Sequence, residues 1–215
     1  MARSVVFVLL WLALAWAPLA AAGEVRVLGG SAVVFVMEIL IPRFEAASGH
    51  KVIADFDGAI GAMAKRVAAG ERTDVLIASR EQIEALEKSG RIQAGSTREL
   101  AKLGVGVFVR AGAPRPDLGS VESFRKAMLA ARSIGYNDPA AGAPVGIYLL
   151  RLFEGLGIAV PGVDLAGPLP AAIQNYTEFA AAVVSGSEAA GPASEFISFI
   201  ASPAARALMK TKGFE

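Results

Sequence analysis

Between residues 24 and 90 three short apolar runs alternate with three segments of helical period, and this alternation limits the fold more than any other feature of the chain. "EVRVLGG" reads as a strand that ends in glycines, and "HKVIADFDG" as a second strand. "TDVLIAS" reads as a third, buried on both faces because its apolar run is unbroken. The segments "SAVVFVMEILIPRFEAASG", "AIGAMAKRVAAGE" and "REQIEALEKSG" follow the helical period. Ser31 suits an N-cap, Gly49 and Gly90 suit helix stops, and Pro42 predicts a kink or break. The resulting β-α-β-α-β-α order with short loops implies a parallel sheet with right-handed crossovers.

The rest of the chain reads the same way. "VGVFVR" and "SIGYND" are expected strands, and "SVESFRKAMLAARS" is a helix capped by Ser120. "PVGIYLLRLFEGLG" is a helix whose Pro144 sits where a missing N–H does no harm. "NYTEFAAAVVSGS" is extended, and "AAGPASEFISFI" and "SPAARALMKTKG" are C-terminal helices. This pattern predicts two α/β lobes. Residues 23–102 with 186–215 form the first, residues 103–185 the second, and hinge strands near 103–111 and 177–185 join them. Two crossing strands make a hinge and so a closing cleft.

The N-terminus carries its own signal. Residues 1–22, "MARSVVFVLLWLALAWAPLAAA", combine Arg3, an apolar run, Pro18 and a small-residue end, which is a cleavable signal peptide directing export to the periplasm. The alternative is an uncleaved anchor, since the run approaches the length of a membrane span of about 18 residues. Cleavage removes one charge from 21 basic and 20 acidic residues, leaving a neutral chain. A neutral chain argues against a nucleic-acid surface, which needs a basic excess. With no cysteine there is neither a disulfide nor a thiolate metal site, and one histidine gives the usual triads and zinc sites little to draw on. No cofactor fingerprint appears, since "GVGVFV" and "GLGIAV" lack the third glycine. That histidine, His50, follows "ASG" at a helix-to-strand turn away from the cleft and reads as a solvated loop residue.

The stretch "GAPVGIYLL" starts a helix with no acid in its first turn. A helix N-terminus leaves four N–H groups unpaired and carries about half a positive charge. An acidic cap would repel an anion, whereas small, uncharged residues let one reach the backbone. The bare start therefore reads as an anion seat.

The ordered motifs "LGGSA", "PRFEAASGHKV", "GAMAKRVAAGERTDVLIAS", "GVGVFVRAGAPRPDLGS", "APVGIYLLRLFEGLGIA" and "SEFISFIASPAARALMKTKGFE" run through most of the chain. Together they resemble the type II periplasmic solute-binding proteins of ABC uptake systems, in the molybdate-binding-like branch. The resemblance implies an α/β, two-lobed fold with mixed, mainly parallel sheets flanked by helices. It implies a monomer that is not an enzyme, binds a small oxyanion between its lobes and passes it to a membrane permease. Serine hydroxyls and helix-start amides, rather than lysine or arginine, would hold the anion. Ser31 matches the first ligand serine. The second falls in "DGAIGA", where Ala59, Ile60 and Gly61 leave only amides, and Asp57 would repel an anion if it pointed inward. "APVGIY" matches the pattern that places the Val145 N–H as a donor. The expected ligand set is Gly30, Ser31, Ile60, Gly61, Ser79, Val145 and Tyr148. The chain also departs from the family: after Ala159 it moves at once to Val160 and Pro161, omitting roughly one β-α-β unit of about 30 residues. The second lobe is therefore expected to be truncated.

Plainer roles compete for several of these residues. Ser31 suits an N-cap as well as a ligand, Gly29 and Gly30 suit a tight turn, and Tyr148 suits a core. Asn137 and Asp138 sit where α/β ligands bind, yet suit a turn before Pro139. Two other functions stay open: a non-transporting interaction or regulatory protein on a degenerate scaffold, and a hydrolase using Ser31. The second lacks a base and a G-x-S-x-G context, because Val33 replaces the second glycine.

Overall fold

The computed structural model describes residues 22–137, 144–158 and 169–215. The expected signal peptide and the seam after Ala159 lie outside the described residues, apart from Ala22 at the cleavage point. A single five-stranded sheet runs in the order β2-β1-β3-β5-β4, where β1 is Glu24–Gly29, β2 Lys51–Asp55, β3 Val75–Ser79, β4 Arg98–Gly104 and β5 Tyr176–Val183. β2, β1 and β3 pair in parallel, as the alternation predicts, with Val27 opposite Ala54 and Val75. β5 joins antiparallel to β3 and β4 and makes the sheet mixed.

Helices cover the sheet. Residues Ser31–Val33 form a 3-10 turn that runs into α1 (Val34–Ser48), which continues through Pro42 and stops at Gly49 with φ of 76°. Then come α2 (Ile60–Ala68) and α3 (Arg80–Lys88), whose apolar faces lie on β3. α4 (Val121–Ala130) begins at Ser120, whose Oγ accepts the Ser123 N–H at 3.0 Å. α5 is Pro144–Gly155, α6 Ala190–Ile200 and α7 Pro203–Thr211, the last capped by Ser202 with Pro203 at its start.

Two apolar clusters form. The larger contains β1, β3 and β5 with α1, α2, α6 and α7, and includes Met37, Leu76, Phe179 and Phe196. The smaller holds Val105, Val107, Phe124, Met128, Ile134, Leu149, Phe153, Ile158 and Leu169. This is the two-lobed α/β arrangement, with a reduced second lobe. The structure differs from expectation at the crossings. The expected strand "VGVFVR" is a single bridge at Gly106, and "SIGYND" a single bridge at Ile134; the ladder lies earlier, over 98–104. A strand persists only beside a partner, and β5 supplies one for residues 98–104. Most of the segment 177–185, expected as a crossing of the second lobe, is the inner strand of the first lobe's sheet, buried from Phe179 onward. His50 is also not a solvated loop residue: it is 4% exposed, its Nδ1 accepts the Gly23 N–H at 2.9 Å, and its ring stacks on Phe44.

Candidate functional site

The carboxyl ends of β1, β2, β3 and β4 point the same way, the end where α/β folds bind ligands. There the chain crosses between the lobes. Val105 is fixed to Gln174 by a closed amide pair: its N–H donates to Gln174 Oε1 at 2.9 Å, and its carbonyl accepts Gln174 Nε2 at 3.1 Å. A cavity of about 630 Å³ opens beside this crossing and is lined from both lobes. Ser31, Ala32 and Ile60 come from the first lobe, and Val107, Phe108, Asn137 and Val145 from the second.

Gly30 brings the two first-lobe helix starts together. A Cβ at this position would sit 2.2 Å from Ile60 Cγ1 and 3.0 Å from the Ile60 N and Cα, so only glycine lets β1 run against the start of α2. The Ser31 N–H donates to the Gly58 carbonyl at 2.9 Å and locks the arrangement. That amide is therefore occupied, and Ser31 has only its hydroxyl to offer an anion. Ser31 is not an N-cap either. Gly30 takes that position, and the Ser31 hydroxyl, which is exposed, makes no hydrogen bond within the described residues. The amides of Ala32, Ile60 and Gly61 likewise find no acceptor within the described residues. No acid stands in the first turn of α1, α2 or α5.

Asp55 and Asp57 stand outside the wall, whereas Glu215 lies on it. Asp57 is exposed and outside the wall, and its N–H donates to Asp55 Oδ1 at 3.0 Å. Asp55 Oδ2 accepts from Arg66 at 2.7 Å. The backbone bond and then the guanidinium hold the Asp55 carboxyl below its usual range. Arg66 also clasps Glu71, whose carboxyl it lowers in turn.

Of the residues marked by sequence, Ser31, Ile60 and Val145 line this one cavity, while Gly30 and Gly61, their buried neighbours in the chain, do not. Ser79 and Tyr148 line a separate cavity of about 680 Å³ with Arg80, Arg151 and Glu178. Ser79 is 5% exposed, and its Oγ accepts the Gln82 N–H at 3.4 Å as the cap of α3. Tyr148 donates its hydroxyl to the Ile173 carbonyl at 2.5 Å, and burial raises its pKa. Sequence reasoning missed Phe108, Gln174 and Lys212 on the cleft wall. Lys212 follows the last helix, and nothing in "MKTKGFE" tells that this tail folds back onto the cleft wall that also holds Ser31.

Comparison with known proteins gives a consistent picture. Residues 25–161 and 158–215 match the family described as bacterial extracellular solute-binding protein. The two matched segments meet where the sequence passes from Ala159 to Val160. An aconitate isomerase from Pseudomonas sp is 27% identical over 244 aligned residues, spanning 95% of this chain and 93% of that protein. That alignment is longer than the 215-residue chain, so the relative has residues with no counterpart here. The periplasmic molybdate-binding protein of Azotobacter vinelandii superposes with a TM-score of 0.65 at 18% identity, over 89% of this chain and 99% of that one. The sulfate-binding protein of Mycobacterium tuberculosis gives 0.61 at 18% identity, over 89% and 86%.

Proposed function

Since this chain belongs to the bacterial extracellular solute-binding protein family, we propose that it captures a small oxyanion, molybdate-like in its mode of binding, in the periplasm. A monomer binds the solute between its lobes, closes by bending at Val105 and Gln174, and offers the closed form to the permease of an ABC uptake system. The observation that carries this reading is the meeting of three acid-free helix starts, those of the 3-10 turn that leads into α1, of α2 and of α5, at one cavity. Amides of Ala32, Ile60, Gly61 and Val145 and the Ser31 hydroxyl are the donors. Aligned helix dipoles attract negative charge there, and the amides need no reorganisation to bind it.

A ligand that binds only the folded chain raises its stability. Mature protein is expected to gain several degrees in Tm with at least one of molybdate, tungstate, sulfate or a small carboxylate. Val145→Asp, which sets a carboxylate at the start of α5, is expected to abolish the gain. No shift with any anion would sink the reading and favour the non-transporting alternative.

The likeness to an aconitate isomerase over most of both chains supports a second reading, in which the cleft turns over an organic acid. Among the described residues its ionisable wall groups are Tyr136, Lys212 and Glu215. An ultraviolet assay of cis- and trans-aconitate interconversion separates the two readings: turnover lost in Glu215→Gln would establish the enzyme, and no turnover with retained binding would establish the carrier.

A further inference from the structure

We infer that the solute is an organic polyanion, with two or more anionic groups on a hydrocarbon body, and that Lys212 holds one of them. This rests on the anion-binding reading above and names the class of anion. Three features of the cleft support it.

The first is the nature of the wall. An inorganic tetrahedral oxyanion presents oxygen on every side, so each direction needs a donor, and apolar surface against it is a loss. Here the first-lobe donors gather around Ser31 and Ile60, Asn137 and Thr177 add polar groups elsewhere on the wall, and Leu103, Val107, Phe108, Leu149 and Phe179 supply a broad apolar surface. Ala59 puts a methyl group on the donor side itself. Phe108 is 70% exposed on this wall, so most of its ring is uncovered. A hydrocarbon body would cover it.

The second is charge. Lys212 lines the same cavity, is exposed, and has no carboxylate within ion-pair distance among the described residues. Its neighbour Glu215 shares this wall but is engaged by other partners: the Tyr176 hydroxyl donates to Glu215 Oε1 at 3.3 Å, and the Glu215 backbone pairs with Lys102 at 2.8 and 2.9 Å. An ammonium on the wall suits a second anionic group.

The third is size. A cavity of about 630 Å³ lies within the range of about 300–1,000 Å³ that houses organic ligands.

The test is calorimetric titration of the mature protein at fixed ionic strength with tricarballylate, glutarate, sulfate and molybdate. Tricarballylate or glutarate is expected to bind at least about tenfold more tightly than either inorganic anion. Lys212→Gln is expected to weaken the carboxylates by about tenfold or more, the scale of a charge-assisted hydrogen bond, and sulfate by less than about threefold. Phe108→Ser, at an exposed position, is expected to weaken the carboxylates and spare sulfate. Tighter binding of sulfate or molybdate would overturn the inference and leave the anion carrier standing. So would an equal loss for all anions in Lys212→Gln, which marks mere steering. Binding of none would remove both.

Discussion

Among the described residues, thirty-three buried apolar side chains build the first lobe's core around a five-stranded sheet, and nine build the second's. In the second lobe the sheet gives way to single bridges at Gly106 and Ile134, and helices α4 and α5 do the packing. Phe124 and Met128 from one helix meet Leu149 and Phe153 from the other, Tyr136 sets its ring edge-on to Phe153, and Arg125 Nε donates to the Leu156 carbonyl at 2.8 Å. The difference shows what the cleft rests on. One jaw is a rigid platform whose backbone bonds are made across a sheet. The other is a helical flap held mainly by side-chain contact, with few backbone bonds between its elements.

This contrast can be broken most directly in the two cores. Phe196 is fully buried in the first lobe, 5.1 Å from Phe44, and Phe153 is 3% exposed in the second. Either change to alanine costs about 3–5 kcal/mol locally. Phe196→Ala is expected to unfold the whole chain, whereas Phe153→Ala releases the second lobe alone. Hydrogen exchange reads this as lost protection confined to 105–158 with the β1, β3 and β5 amides intact. Uniform loss in both variants would show one cooperative unit and end the contrast.

A smaller effect sharpens it at the cleft floor. Gly30→Ala forces a methyl group into the backbone of Ile60 and is expected to cost about 1–3 kcal/mol and most of the anion affinity. Gly104→Ala meets only side-chain atoms, Tyr176 Cε1 at 3.2 Å and Gln174 Nε2 at 3.3 Å, and is expected to cost about 1 kcal/mol or less. Denaturant melts with and without ligand compare the two. Equal penalties would mean that the floor is no stiffer than the crossing.

The smallest effect is in pH. Asp55, Glu71 and Glu45 of the first lobe have lowered folded pKa values, through backbone bonds and Arg66 or Lys51. Their contribution is present above the ordinary carboxylate range of about 4 and is lost as pH falls through the folded values. Tyr148 of the second lobe has a raised one because burial favours the neutral phenol. Its contribution is present below its ordinary value of about 10 and is lost as pH rises past the folded value. Acid is therefore expected to loosen the first lobe and alkali the second, with Tyr148→Phe removing the alkaline limb. Loss of both lobes at the same pH would contradict the assignment.

The β-α-β-α-β-α start was legible because its periods are strong and its loops short, and the caps at Ser120 and Ser202 followed from local chemistry. The strand Arg98–Gly104 was not, because it is an edge strand with charges at Arg98, Glu99 and Lys102, so its apolar signal is weak. The apolar run after it looked like the strand, yet Val105 and Val107 face the second core as extended chain. At the cleft, helix starts were readable from missing acids and small residues. The turn that hands the Ser31 amide to Gly58 was not, nor the caps and contacts that draw Ser79 and Tyr148 to the other cavity. Lys212 escaped because only tertiary packing brings a chain end beside a residue near the start.

Gly104 and Tyr176 stand opposite one another on adjacent antiparallel strands. The whole second lobe is thus an excursion that leaves the sheet and re-enters it at a single rung. Strand ends so placed can be joined by as little as a two-residue turn. Length changes inside the excursion therefore do not shift the register of the platform. Nature could shorten this arm without rebuilding the body that carries it.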